Sequence, residues 1–328
     1  MNHINLYYRT PPPQKRWVPG DQYLIPILQR LIRGRKTGGI KKVFVNLCKG
    51  FDQLQINYTV NLNFKEIKAN EPVIVLGNSD YALQGYQQSN LIIAGIGLMT
   101  HPAQWPNLFA EHPVATYLQH SDWTKDIYTP YFGQNNCGLW PAGIDTGHWK
   151  PAKKTKKYDF LIYNKIMWDK PQMNEKLKLP IIRKLEEAGL SYREITYGSY
   201  SEKQYRRLLN ESSAMIFLCE HESQGFACCE ALSMNVPVLA WNQGLWLDPN
   251  RFSYGENNPV PATSVPFFDD RCGEKFTDLD SFYHVFDAFY AKVLKGGFSS
   301  RSYILENLTL KKSAQKMLDI VSQIYFHA

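Results

Sequence analysis

The stretch Glu222-Ser-Gln-Gly225-Phe-Ala-Cys-Cys-Glu230-Ala, followed by Asn235-Val-Pro-Val-Leu-Ala240, decides how this chain folds. Ala214–Leu218 before it is a short, wholly apolar run, which reads as a buried strand. Phe226–Met234 reads as a helix of small residues and Val236–Ala240 as the next strand. A buried strand, a glycine turn, a helix and a second buried strand make one unit of an open parallel α/β sheet. Such sheets bind ligands beyond the carboxyl ends of their strands. Gly225 lets the backbone approach a ligand closely. The free N–H groups that open the helix suit phosphate oxygens. Glu222 stands on the loop at the strand's carboxyl end. Glu230 lies further along the helix, where a carboxylate accepts hydrogen bonds from ribose hydroxyls. The competing reading is two solvated acids flanking a surface helix.

The same alternation runs outward in both directions. Upstream, Phe160–Tyr163 and Tyr192–Thr196 read as strands and Pro180–Ala188 as a helix ended by Gly189. Ser201 with Gln204 is positioned to cap the next helix. Downstream, Leu279–Leu294 and Lys311–Phe326 read as helices, the last with Ala314, Met317, Leu318, Val321 and Ile324 on one face. Toward the N-terminus, Ile4–Tyr8, Ile56–Val60, Pro72–Leu76, Leu91–Ala94 and Ala115–Gln119 read as strands. Gly38-Gly39 opens a helix carrying Val43, Phe44, Leu47, Phe51 and Leu54. Pro141–Lys157 has a linker's composition. The expected architecture is α/β, with one Rossmann-like domain over 1–148 and a second over 149–328. A length of 328 residues agrees with two domains. With 44% hydrophobic and 20% charged residues, a disordered chain, a collagen and a coiled-coil rod are excluded.

The net charge of +7 is uneven. Residues 1–70 hold twelve Lys and Arg against three acids, while the remaining 258 residues carry a net −2. The N-terminal part therefore reads as the one that meets something negative. Its densest stretch is Arg30, Arg33, Arg35, Lys36, Lys41 and Lys42, next to Gly38-Gly39. Six cysteines without a CxxC pair, no secretory leader pattern and no apolar run of membrane-spanning length point to the cytoplasm.

The Glu-x7-Glu pattern of Glu222 and Glu230, with a Pro-Val strand after it, resembles the signature of GT-B glycosyltransferases of family 4. Ser223-Gln224 precede Gly225-Phe226 here, where the family has Gly-Phe-Gly directly after the first Glu. The resemblance continues in order along the chain. Pro141-Ala-Gly-Ile-Asp145 closing on Trp149-Lys-Pro151 is similar to the family's segment before its interdomain linker, with Ala142 in place of Asn. Ser121-Asp-Trp-Thr-Lys125 resembles a family turn, and Gly38-Gly39 its N-terminal glycine loop. Lys165 and Lys170, five apart after the strand Phe160–Tyr163, match an Arg and a Lys that hold the donor diphosphate, with Lys for Arg. Lysine supplies a point charge without the bidentate fork. His101 resembles a family histidine that faces the donor sugar; His120 and His3 are its rivals.

The resemblance implies two Rossmann-like domains facing across a cleft, with acceptor on the first and nucleotide sugar on the second. It also implies a last helix, about 311–326, that packs back on the first domain. It implies retaining transfer of a sugar to an acceptor hydroxyl. Glu222 and His101 would act on the reacting sugar. Lys165, Lys170, Gly225, Phe226 and Glu230 would bind the donor, and Gly38 and Gly39 would hold acceptor or phosphate. The expected partners are a nucleotide-diphosphate sugar, as co-substrate, and a sugar or lipid-linked acceptor, with peripheral contact at an anionic membrane. The basic N-terminal third leaves a glycosyltransferase acting on nucleic acid as a further alternative, although no nucleic-acid motif is recognised and nucleic acid is not the expected partner. No cofactor and no metal are expected. Asp278-Leu-Asp280 spells a metal-binding Asp-x-Asp, but it sits where acids cap a helix. The departures from the family pattern motivate the alternative of a non-catalytic GT-B protein that binds a nucleotide or glycan.

Overall fold

A computed structural model describes residues 3–11, 38–77 and 79–326 of the chain. The chain divides into two compact units, Met1–Gly143 with Leu310–Ala328, and Ile144–Thr309.

The first unit holds β1 (Ile4–Tyr7), β2 (Tyr58–Val60), β3 (Val73–Leu76), β4 (Ile92–Gly95), β5 (Val114–Gln119) and β6 (Cys137–Leu139). They form one sheet in the order β2-β1-β3-β4-β5-β6, parallel throughout. β1, β3 and β4 are buried at every residue. That is why they read as continuous apolar runs rather than alternating ones. Helix α1 (Gly39–Gln53) turns Val43, Leu47 and Phe51 inward at four-residue spacing. Helix α2 (Asp122–Phe132) escapes the sequence reading because Pro130 lies inside it. A proline in mid-helix removes a hydrogen bond and argues against a helix.

The second unit holds β7 (Tyr158–Lys165), β8 (Tyr192–Thr196), β9 (Ser212–Cys219), β10 (Val238–Trp241) and β11 (Gly273–Phe276). Their order is β11-β10-β9-β7-β8, again parallel. Its main helices are α3 (Leu179–Glu187), α4 (Glu202–Glu211), α5 (Phe226–Ser233), α6 (Leu279–Leu294) and α7 (Ser300–Asn307). Successive side chains of the central strands enter opposite layers. Leu161, Tyr163, Met215 and Phe217 pack with α4 and α5. Phe160, Ile162, Ile216 and Leu218 pack with α3 and α6. Ser201 caps α4, its Oγ accepting from Gln204 N at 3.1 Å.

The final helix, α8 (Leu310–Phe326), belongs to the first unit and packs on α1. It buries Ala314, Met317 and Val321. The approach is close enough to need Gly50: a Cβ there would lie 2.6 Å from the Leu310 carbonyl oxygen and 2.7 Å from Ala314 Cβ. Trp140 Nε1 donates to Ser313 O at 2.9 Å, and Ser313 Oγ to Pro141 O at 2.8 Å.

The sequence reading sets the domain boundary at 148/149, whereas the units divide at Gly143/Ile144. Ile144 bridges Thr309 and donates to Leu308 O at 2.7 Å. Trp149, in the stretch with linker composition, is buried with its ring centroid 5.8 Å from that of Tyr205. Among the described residues, no helix is long and apolar enough to cross a membrane.

Candidate functional site

In the second unit, β7 and β9 are neighbours, with Lys165 registered opposite Cys219. The chain leaves β9 through Glu220, His221 and Glu222, so the strand pairing carries Glu222 to the end of β7. There Lys165 Nζ meets Glu222 Oε1 at 2.5 Å, with 17% and 16% of the two side chains exposed. The ammonium also lies 4.6 Å from the centroid of Tyr197, just past β8. Burial works to lower the Lys165 pKa, but the Glu222 carboxylate outweighs it and holds the group above its ordinary value. Backbone pins the loop, with Glu222 N donating to Thr263 O at 2.9 Å.

Gly225 is the N-cap of α5, in the left-handed region at φ +66°. Its nearest potential Cβ neighbour is 3.7 Å away, so the glycine supplies a conformation rather than space. Gly225 brings no side chain of its own to cap α5, and the first turn of the helix carries no acid. That combination leaves the positive end of the helix suited to an anion. Phe226 packs against the core. Glu230 is buried, not a solvated surface acid. Its charge acts on Tyr200, whose pKa is pushed to about 12, chiefly by burial. Tyr200 and Tyr163 share a hydrogen bond of 2.6 Å.

Lys170 stands differently. It is exposed at the start of the short helix Lys170–Met173, just after Asp169 at φ +45°. Among the described residues no carboxylate pairs with it.

Sequence reasoning missed the two residues before Glu222. Glu220 is 1% exposed. Its Oε1 accepts from the backbone N of Met167 at 2.9 Å and of Trp168 at 3.2 Å. Among the described residues its Oε2 has no hydrogen-bond partner. Burial pushes its pKa up. The His221 ring stacks on Trp168, with centroids 5.1 Å apart and planes at 23°. Burial, aided by the Lys165 charge, lowers the His221 pKa to about 4. The signal for them in the sequence is a run of polar residues directly after an apolar strand.

In the first unit, His101 is fully buried and caps a single turn, Pro102–Gln104. Its Nδ1 accepts from Ala103 N at 3.2 Å, and its ring meets Tyr131 edge-on at 5.4 Å. Beside that turn lies a cavity of about 290 Å³ lined by Ser79, Asp80, Leu98, Met99, Gln104 and Trp105. It sits past the carboxyl ends of β3 and β4. The rival His120 is buried, hydrogen-bonded to the Trp140 carbonyl at 3.2 Å, and lowered by burial to about 4. His3 bonds Thr59 Oγ1 at 3.2 Å. Gly38 and Gly39 open α1, which has no side-chain cap. Among the described residues, a Cβ at either would meet nothing within 4 Å. Arg30, Arg33, Arg35 and Lys36 lie outside the described residues. Asp278 caps α6, accepting from Ser281 N at 2.8 Å. No group of three or more His, Cys, Asp or Glu among the described residues could hold a metal ion.

No known family model matches the sequence, and no curated protein matches it either. Solved structures do. AviGT4, a glycosyltransferase involved in avilamycin A biosynthesis, is 12% identical with a TM-score of 0.58, over 99% of each chain. A glycosyltransferase from Rickettsia africae ESF-5 is 12% identical with a TM-score of 0.55, over 100% of each. The lipopolysaccharide outer core galactosyltransferase WaaB is 11% identical with a TM-score of 0.53, over 98% of this chain and 99% of its own. The chain shares their GT-B fold, with two parallel α/β sheets of six and five strands.

Proposed function

We propose that this chain is a retaining glycosyltransferase of the family 4 type, which moves a sugar from a nucleoside-diphosphate sugar to an acceptor hydroxyl. One observation carries the reading. The Lys165–Glu222 pair stands at the carboxyl ends of adjacent parallel strands, next to the Gly225 turn that starts α5. A cation, a carboxylate and a helix N-terminus in one place suit a diphosphate that leaves from a sugar.

In this reading the bond between the anomeric carbon and the β-phosphate oxygen breaks. The acceptor oxygen bonds to that carbon on the same face. The acceptor proton passes to the departing phosphate. Lys165, Lys170 and the amides after Gly225 neutralise the charge that develops there. Glu222 faces the sugar near its reacting carbon, and the buried Glu230 takes the ribose hydroxyls. Phe226 closes the helix start against the core. The lysines and amides supply the positive charge, so the proposal assigns no metal. The first unit binds the acceptor, a sugar or lipid-linked glycan, with Gly38 and Gly39 at its helix start. His101 enters only as the buried cap beside that unit's cavity.

A thermal-shift panel of UDP, GDP, ADP, dTDP and their sugars tests the reading. The true donor stabilises the protein by RT ln(1 + [L]/Kd), about 2.7 kcal/mol at a hundredfold excess over Kd. No shift with any of them refutes it. Slow hydrolysis of the stabilising nucleotide sugar separates an enzyme from a binding protein.

A further inference from the structure

We propose that Glu220 is the positioning residue for the loop that joins Lys165 to Lys170, and so shapes the diphosphate site. This rests on the donor-site reading above. The two lysines are separated by Ile166–Asp169, and the loop leaves through Asp169 in the left-handed region. A backbone of that shape needs to be held. Three consecutive residues after β9 hold it. Glu220 takes two successive amides, Met167 N and Trp168 N, on one oxygen. His221 stacks on the Trp168 ring. Glu222 pairs with Lys165. The clasp is itself anchored, since Gln243 Nε2 donates to the Glu220 carbonyl at 3.2 Å.

The way Glu220 is used sets apart a positioning role from a charge role. Oε1 accepts both amides, and among the described residues Oε2 has no partner. An amide oxygen can do the same work, so glutamine is an adequate replacement and alanine is not. A carboxyl group that merely filled the core would treat these replacements alike in donor binding.

The test compares Glu220→Ala and Glu220→Gln with the parent protein. It measures amide exchange at Met167 and Trp168, and the affinity for UDP, GDP, ADP and dTDP. Glu220→Ala is expected to speed exchange at those two amides and to weaken the bound nucleotide roughly tenfold, as loss of hydrogen bonds to a buried carboxyl implies. With turnover measured, the loss falls on KM for the donor and not on kcat. Glu220→Gln restores both. If Glu220→Ala does not fold, His221→Ala loosens the same loop from its other side, with the same expectation. A folded Glu220→Ala protein with parental nucleotide affinity overturns the proposal, as does a Gln variant as weak as Ala. If the parent protein binds none of the nucleotides, the donor-site reading fails on its own. Unchanged exchange at Met167 and Trp168 then overturns the clasp separately.

Discussion

Replacing Glu222 by glutamine is expected to tighten nucleotide binding while it stops transfer. At 2.5 Å and an effective dielectric near 20, the Lys165 and Glu222 charges attract by about 7 kcal/mol. Desolvation of the two ions offsets most of this. Both side chains are more than four-fifths buried, so solvent screens the pair little. A diphosphate has to draw Lys165 away from that carboxylate. Glu222→Gln keeps the shape and removes the competing charge. The lysine stays protonated at pH 7, because its ordinary value near 10.4 leaves room for burial to lower it. Nucleoside diphosphate affinity is therefore expected to rise about tenfold, equal to about 1.4 kcal/mol. Turnover is expected to fall by about a hundredfold or more, the usual cost of removing one preorganised polar group facing the reacting centre. Isothermal titration at pH 7.5 reads the first and donor hydrolysis the second. Unchanged or weaker binding in a folded variant refutes the competition argument. Parental turnover removes Glu222 from the mechanism.

Three further outcomes are expected. Gly50→Ala forces α1 and α8 apart and should cost about 1–3 kcal/mol, read as a lower urea midpoint. An unchanged midpoint would mean the helices part freely. His120 is held neutral, near 4 against about 6.5 unfolded, so the unfolded chain binds the extra proton between those values. Its contribution is present in full above pH 6.5 and is lost as pH falls toward 4, by at most about 3 kcal/mol. His120→Gln should flatten that acid limb, and parallel curves for both proteins from pH 7.5 to 4.5 would contradict this. Asp278→Ala should lower the urea midpoint through the lost cap and keep full turnover. Lost turnover would give that aspartate a role in the reaction.

Much of the fold was legible because burial writes itself into the chain locally. β3, β4 and β9 are apolar runs because helices cover both faces of their sheets. Helices α1 and α6 carry their inward residues at helical spacing. What escaped was local evidence overruled by context. Pro130 masks α2. The glycines, prolines and lysines of 141–157 hide that Trp149 is core. β11, with Glu274 and Lys275, is a half-polar edge strand.

The candidate site divides the same way. The alternation of strands and helices, the glycine that opens α5, and the two acids and two lysines around it can all be read along the chain. Those follow from residue type and spacing along one segment. Which of them meet depends on how the strands pair. The β7–β9 register brings Lys165 onto Glu222 across 57 positions of chain. It leaves Lys170 in solvent and buries Glu230. It also turns Glu220 and His221 onto the loop between the lysines. His101 shows the limit most clearly. Nothing in its flanking residues tells a ligand-facing histidine from one that caps a turn. That difference depends on the burial of the ring against Tyr131, thirty positions away, and only the fold supplies that contact.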